Sequence, residues 1–195
     1  MREDKRIILL AGPSAAGKTT VARLIERIEP RISLVRSATT RQPRGDGQDA
    51  EYIYMSREDF LRSVREGGFL EYTEFGENLY GTPAFEIERI LSEGGVPLLI
   101  LDLNGIKALK DSERYRSLAV FLFADEATLD SRLFERLSRK GELTSDAARQ
   151  YESRRKAARD YVRLVREDGA LFDALVDTTK KAPDEVAREI LKLLN

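Results

Sequence analysis

Residues 9–28 read LLAGPSAAGKTTVARLIERI: an apolar run, then small and polar residues, then a helical pattern. Gly12-Pro13-Ser14-Ala15-Ala16-Gly17-Lys18-Thr19 satisfies G-x-x-x-x-G-K-[ST], between a strand ending at Ala11 and a helix beginning near Lys18. The spacing has a physical reason. Glycines at both ends let the backbone curl until several N–H groups point at one centre, and the helix N-terminus adds its positive end. A phosphate chain is the natural occupant of such a set of donors. Lys18 would reach the β- and γ-phosphates, Thr19 would offer its hydroxyl to a magnesium ion, and Thr20 closes the candidate set.

Outward from this loop, four short apolar runs read as strands: Ile7–Ala11, Ile32–Val35, Val96–Leu101 and Leu118–Phe123, with a weaker fifth at Leu175–Val176. Apolar residues at three-and-four spacing predict helices over Thr20–Arg27, Ala84–Ser92, Ala127–Arg139, Ala147–Glu167 and Asp184–Leu194, the last opened by Pro183. Near-continuous apolar strands alternating with helices predict a parallel sheet covered on both faces, an α/β class. Residues 37–95 differ. They carry turn chemistry at Pro43, Gly45, Gly47, Gly67-Gly68, Gly76 and Gly81, and short alternating runs such as EYIYM and FLEYTEF. This predicts an α+β lobe inserted into a core made of 1–36 and 96–195. A charged helical excursion over about 133–158 forms a second appendage.

Composition narrows the chemistry. In 195 residues there is no cysteine and no histidine, so catalysis must rest on carboxylates, lysine, arginine and hydroxyls. Thirty-three basic residues against 34 acidic ones leave a formal charge of −1, which gives no argument for a nucleic-acid or membrane-surface partner. No apolar run approaches a membrane span, and MREDKR lacks a signal-peptide core; the expectation is a cytoplasmic protein.

A phosphate loop serves switch GTPases, ATPases and kinases alike. No N-K-x-D tetrad is present. Asp102, after Leu99-Ile100-Leu101, could supply a carboxylate to a metal-bound water or could simply cap a helix. The inserted lobe is more specific. SATTRQPRGDGQDAEYIYMSREDF (37–60) and FLEYTEFGENLYGTP (69–83) resemble the guanylate kinases, whose phosphate loop G-P-S-x-x-G-K-[ST] is followed by S-x-T-T-R-x-P-R, a tyrosine, F-[IL]-E and Y-G-[ST]. The resemblance runs in order from Ile7 to about Val176. It implies a P-loop NTPase core of three layers with a GMP-binding lobe at 37–95 and a helical lid. It also implies transfer of the γ-phosphoryl group of ATP to GMP with Mg²⁺.

By the same resemblance, Ser37, Arg41, Arg44 and Tyr52 match GMP-binding positions, with the arginines and Tyr52 on the phosphate and Tyr80 beside Gly81 completing that pocket. Glu71 and Thr82 match the positions that read the base, and Asp102 a position near guanine and the metal. The chemistry agrees: two arginines around a proline can converge on a dianion, and a carboxylate suits the two-donor edge of guanine. Arg136, Arg139 and Arg154 are the candidate phosphate-bridging arginines of the lid, with Arg132 and Arg149 as rivals. Three departures stand out. Ile100 occupies the place of a usual first acidic residue, Ala15 stands where glycine is usual, which is tolerable if the backbone there avoids positive φ, and the lid is longer than is usual in the family. An enzyme of the same fold with another phosphate acceptor, or a non-catalytic interaction module of this family, are the alternatives; an intact Lys18-Thr19 argues against the module.

Overall fold

The computed structural model describes residues 6–43, 49–111, 114–139, 156, 161, 163, 165 and 169–194. In chain order the elements begin β1 (Arg6–Ala11), α1 (Lys18–Ile28), β2 (Ile32–Leu34), β3 (Ser37–Thr39), β4 (Tyr52–Tyr54), α2 (Arg57–Arg65), β5 (Phe69–Phe75) and β6 (Asn78–Pro83). They continue with α3 (Ala84–Ser92), β7 (Val96–Ile100), α4 (Leu103–Asp111), β8 (Arg116–Phe123), α5 (Glu126–Arg139), β9 (Ala174–Asp177) and α6 (Pro183–Lys192). The strands expected from apolar runs form within a residue or two of their predicted limits. Most of the helix expected over 147–167 lies outside the described residues.

A five-stranded sheet has the order β2-β7-β1-β8-β9, with β2–β7 and β8–β9 parallel. Ile7 to Ala11 have no exposed surface, which is why β1 reads as an unbroken apolar run rather than an alternation. Two compact units divide the chain at Ile8/Leu9, Ile28/Glu29 and Ser117/Leu118.

One unit, within residues 29–117, contains a four-stranded sheet of order β4-β3-β6-β5. β6 is antiparallel to both β3 and β5, and β3 is parallel to β4. Ala38 and Leu79 on its apolar face pack with Phe60 and with Ile53, Met55, Val64 and Phe69. Phe60 comes from α2, a helix the apolar spacing does not predict because its nine residues offer only three apolar side chains. Local capping starts it: the Asp59 N–H donates to the Ser56 hydroxyl at 3.0 Å. Gly81 faces this packed side. A Cβ there would lie 2.9 Å from the Phe69 ring, 3.1 Å from the Phe60 ring and 3.0 Å from the Glu71 carbonyl oxygen. Glu86, in the first turn of α3 and 1% exposed, accepts two hydrogen bonds from the Arg36 guanidinium, at 2.8 and 3.2 Å.

The other unit holds α1, β8, α5, β9 and α6. Val21, Ala22 and Ile25 form the buried face of α1, and Val186, Ala187 and Ile190 that of α6, which packs on it. Proline at the first position of α6 supplies a pre-set φ where no N–H is needed. The Ala182 N–H donates to the Glu185 carboxylate at 2.7 Å and caps the same turn.

Candidate functional site

The loop between β1 and α1 is held by backbone geometry. Gly12 has φ 149°, and a Cβ there would sit 2.2 Å from the Leu122 carbonyl oxygen on β8, so only glycine fits. Gly17, at φ 89°, also lies in the left-handed region. Ala15 does not meet the condition of avoiding positive φ: its φ is +67°, positive despite the side chain. The loop must still turn its amides inward, and alanine adopts the left-handed conformation at a cost of about 1–2 kcal/mol. Pro13 accepts from the Ala16 N–H at 3.3 Å, and Ala16 is fully buried, while Ser14 remains partly exposed.

Lys18 folds back over the loop, its Nζ donating to the Gly12 carbonyl at 2.8 Å and the Pro13 carbonyl at 2.9 Å. Burial first, and then the positive charge of Arg136, lower its pKa to about 8. Of the arginines singled out in the lid stretch, Arg136 thus acts electrostatically on Lys18; it is exposed, on α5. Arg132 is otherwise engaged, donating to the Thr178 hydroxyl at 3.1 Å and the Thr178 carbonyl at 2.7 Å. Buried Thr178 in turn donates to the Phe123 carbonyl at 3.0 Å and lies 3.3 Å from the Ala16 carbonyl, which fastens the turn after β9 to the phosphate loop. Arg139 ends α5, but its side chain, with Arg44, Arg149 and Arg154, lies outside the described residues. Thr19 is half-buried in the first turn of α1 and Thr20 is exposed beside it. Among the described residues no cluster of three acidic groups could hold a metal by itself. A single hydroxyl on Thr19 fits a magnesium ion that takes most of its oxygen ligands from phosphates and water.

In the four-stranded sheet, the two-residue period puts a second group of side chains on the face opposite the apolar one. Ser37 pairs with Tyr52, Thr39 with both Tyr54 and Tyr80, and Glu71 with Thr82, so all seven share one face. The Thr82 hydroxyl donates to the Glu71 carboxylate at 2.6 Å. Burial, and secondarily the negative charge of Asp102, push the Glu71 carboxyl up, against the opposing pull of the Thr82 hydrogen bonds. Gly105 on α4 lies beside Glu71: a Cβ at that position would meet the glutamate stem at 3.4 Å, close to ordinary contact. Asp102 caps α4, its Oδ1 accepting from the Gly105 N–H at 2.8 Å, which makes the capping reading of this residue correct.

Tyr52 and Tyr80 meet edge to face with ring centroids 6.4 Å apart. The Arg41 guanidinium carbon lies 5.1 Å from the centroid of Tyr52 and 5.7 Å from that of Tyr54. Arg41 also donates from Nη1 to the Gln42 carbonyl at 2.8 Å and from Nη2 to the Tyr54 hydroxyl at 3.3 Å. Tyr54 and its partner Asp49 were not among the residues expected from sequence. The period of β4 could have found Tyr54, two places after Tyr52 and therefore on the same face.

A family model described as guanylate kinase matches residues 4–190. The guanylate kinase of Rubrobacter xylanophilus is 41% identical over 126 residues, spanning 64% of each chain. That of Prochlorococcus marinus is 32% identical over 196 residues, spanning 100% of this chain and 99% of the relative. The crystal structure of guanylate kinase from Anaplasma phagocytophilum shares the fold, with a TM-score of 0.62 at 24% identity over 96% of this chain and 83% of that one. A phosphate loop and a polar sheet face, in a chain matched across nearly its whole length, lead to one assignment: the chain belongs to the guanylate kinase family.

Proposed function

We propose that this chain transfers the γ-phosphoryl group of ATP to GMP, yielding ADP and GDP. One observation carries the acceptor: a partly buried carboxylate, Glu71, braced by Thr82 on the same sheet face as Tyr80 and as Tyr52, whose ring lies against the Arg41 guanidinium. Guanine presents N1–H and a 2-amino group, which Glu71 would accept, while Thr82 and Ser37 supply hydroxyls near O6. Arg41 and Arg44, with the phenols of Tyr52 and Tyr80, would hold the GMP phosphate by charge-assisted hydrogen bonds.

In the transfer, an oxygen of the GMP phosphate forms the new bond to the γ-phosphorus as the bond to the bridging oxygen of ADP breaks. No histidine or cysteine is needed, because positioning and charge stabilisation supply the catalysis. Backbone N–H groups of the loop between Ser14 and Thr19 would cradle the donor phosphates. Lys18 exchanges its two carbonyl acceptors for phosphate oxygens, and at a pKa of about 8 most of it is cationic at neutral pH. Arg136, Arg139 and Arg154 are assigned to the charge that spreads over the transferring group. Thr19 would hold magnesium, which when bound would neutralise charge on the donor phosphates.

ADP release measured across GMP, IMP, AMP, CMP and UMP, with and without magnesium, tests this. GMP should exceed AMP by about 10⁴-fold in kcat/KM, because AMP would set an unprotonated N1 against a desolvated carboxylate; IMP, lacking only the amino group, should fall between. Equal use of AMP or a pyrimidine nucleotide would overturn the guanine assignment in favour of another acceptor.

A further inference from the structure

The Arg41 side chain is only 11% exposed and is held on several sides. Its backbone N–H donates to the Thr39 hydroxyl at 3.1 Å, and Nη1 donates to the Gln42 carbonyl. Two tyrosine rings lie within cation–π reach of the guanidinium. What remains to be fixed is the rotation that sets where Nη2 points, and there the contact is the Tyr54 hydroxyl at 3.3 Å.

A phenol has one proton and can direct it only one way. Here the Tyr54 O–H donates to Asp49 Oδ1, so its lone pairs are left for Arg41 Nη2. The same carboxylate oxygen lies 3.8 Å from Nη2, adding attraction without competing for the hydrogen bond itself. Burial, and then the hydrogen bond to Asp49, push the Tyr54 phenol up, so it stays protonated through the neutral range. Asp49 therefore orients the phenol, and the phenol orients the arginine.

We propose that Tyr54, with its proton directed by Asp49, is a positioning residue that aims the Arg41 guanidinium at the acceptor phosphate. The proposal rests on the GMP-kinase reading above and adds to it a relay of two residues. Arginine carries considerable rotamer freedom, and ordering it before the substrate arrives lowers the cost of binding. The gain therefore falls on capture of the acceptor more than on the chemical step.

The test compares Tyr54→Phe, Asp49→Ala, Asp49→Asn and the double variant Tyr54→Phe/Asp49→Ala. Tyr54→Phe and Asp49→Ala should each raise KM for GMP by about three- to tenfold, with kcat within about twofold and KM for ATP unchanged. Asp49→Asn should recover most of the loss, since its amide oxygen still accepts from the phenol. The double variant should be no worse than the poorer single one, because both residues act in series. Guanosine, which lacks the phosphate, should inhibit all variants as it inhibits the parent. An unchanged KM for GMP, an additive double variant, a loss confined to kcat, or equal weakening of guanosine would each overturn the relay. If the unaltered chain prefers another monophosphate, the GMP reading fails, and the same comparison with that nucleotide and its nucleoside still decides the positioning role.

Discussion

Replacing Lys18 with methionine separates what the phosphate loop needs for its ligand from what the fold alone prefers. The ammonium has a pKa of about 8 instead of 10.5, through burial first and Arg136 second. A lysine whose pKa falls on folding works against the folded state. The penalty is absent above pH 10.5, grows as the pH falls towards 8, and is complete below 8. At about 1.4 kcal/mol per pH unit, the full shift would cost roughly 3 kcal/mol. Lys18 keeps part of its surface in water and donates to two carbonyls that methionine leaves unpaired, so the net relief should be about 1–2 kcal/mol. In a domain of this size that corresponds to a rise of roughly 2–8 °C in Tm at pH 7 without nucleotide. Only about a quarter of the charge penalty remains at pH 10, where the unfolded lysine is itself losing its proton, while the cost of the two unpaired carbonyls is unchanged, so the gain should vanish there. Turnover should meanwhile fall by orders of magnitude, since the transferring group loses a fixed cation. Circular dichroism melts at the two pH values, with ADP release at pH 7, read both effects. A variant that melts below the parent at pH 7, or keeps its whole gain at pH 10, would refute the account of Lys18 as a strained cation. Retention of more than half the activity would remove it from the transfer step.

Glu71→Gln should cut kcat/KM for GMP by on the order of tenfold or more while KM for ATP stays constant, because an amide replaces a charged acceptor. Glu71 has a raised pKa, so its ionisation opposes folding above the ordinary glutamate range; the Tm of Glu71→Gln relative to the parent should improve as pH rises from 4 to 8. Gly12→Ala places a Cβ 2.2 Å from the Leu122 carbonyl oxygen at a φ of 149°, and should cost more than about 2 kcal/mol by chemical denaturation as well as abolish ATP binding. Arg36→Ala should destabilise by about 1–3 kcal/mol and more than Glu86→Ala does, because it leaves a buried carboxylate with only Arg89, at 3.7 Å, while half-exposed Arg36 can hydrate when Glu86 is removed. The same denaturation series at pH 3 should narrow that difference, since Arg36 holds the Glu86 carboxyl below its usual range and protonation removes the stranded charge.

The sequence by itself determined features whose cause is local along the chain. The phosphate loop is legible because eight consecutive residues specify its donors and its turns. β1 and α3 are legible because burial on both faces, or on one stripe, leaves a repeating apolar pattern. Tertiary structure decided matters in which partners lie far apart or a local preference is overruled. Ala15 takes a positive φ because the loop around it requires the turn, against the preference of its own side chain. Helix α2 is too short and too polar to announce itself; its stability comes from placing Phe60 against Ala38 and Leu79. Asp102 caps α4 through the 2.8 Å bond from Gly105, a role that depends on where the chain turns into that helix. Thr82 reaches Glu71 across the β5–β6 register, and Arg36 reaches Glu86 fifty residues away. Asp49 and Tyr54 become a unit with Arg41 only when β3 and β4 pair in parallel. Periodicity fixes the face on which a side chain stands, whereas strand register and packing choose which distant group stands opposite it.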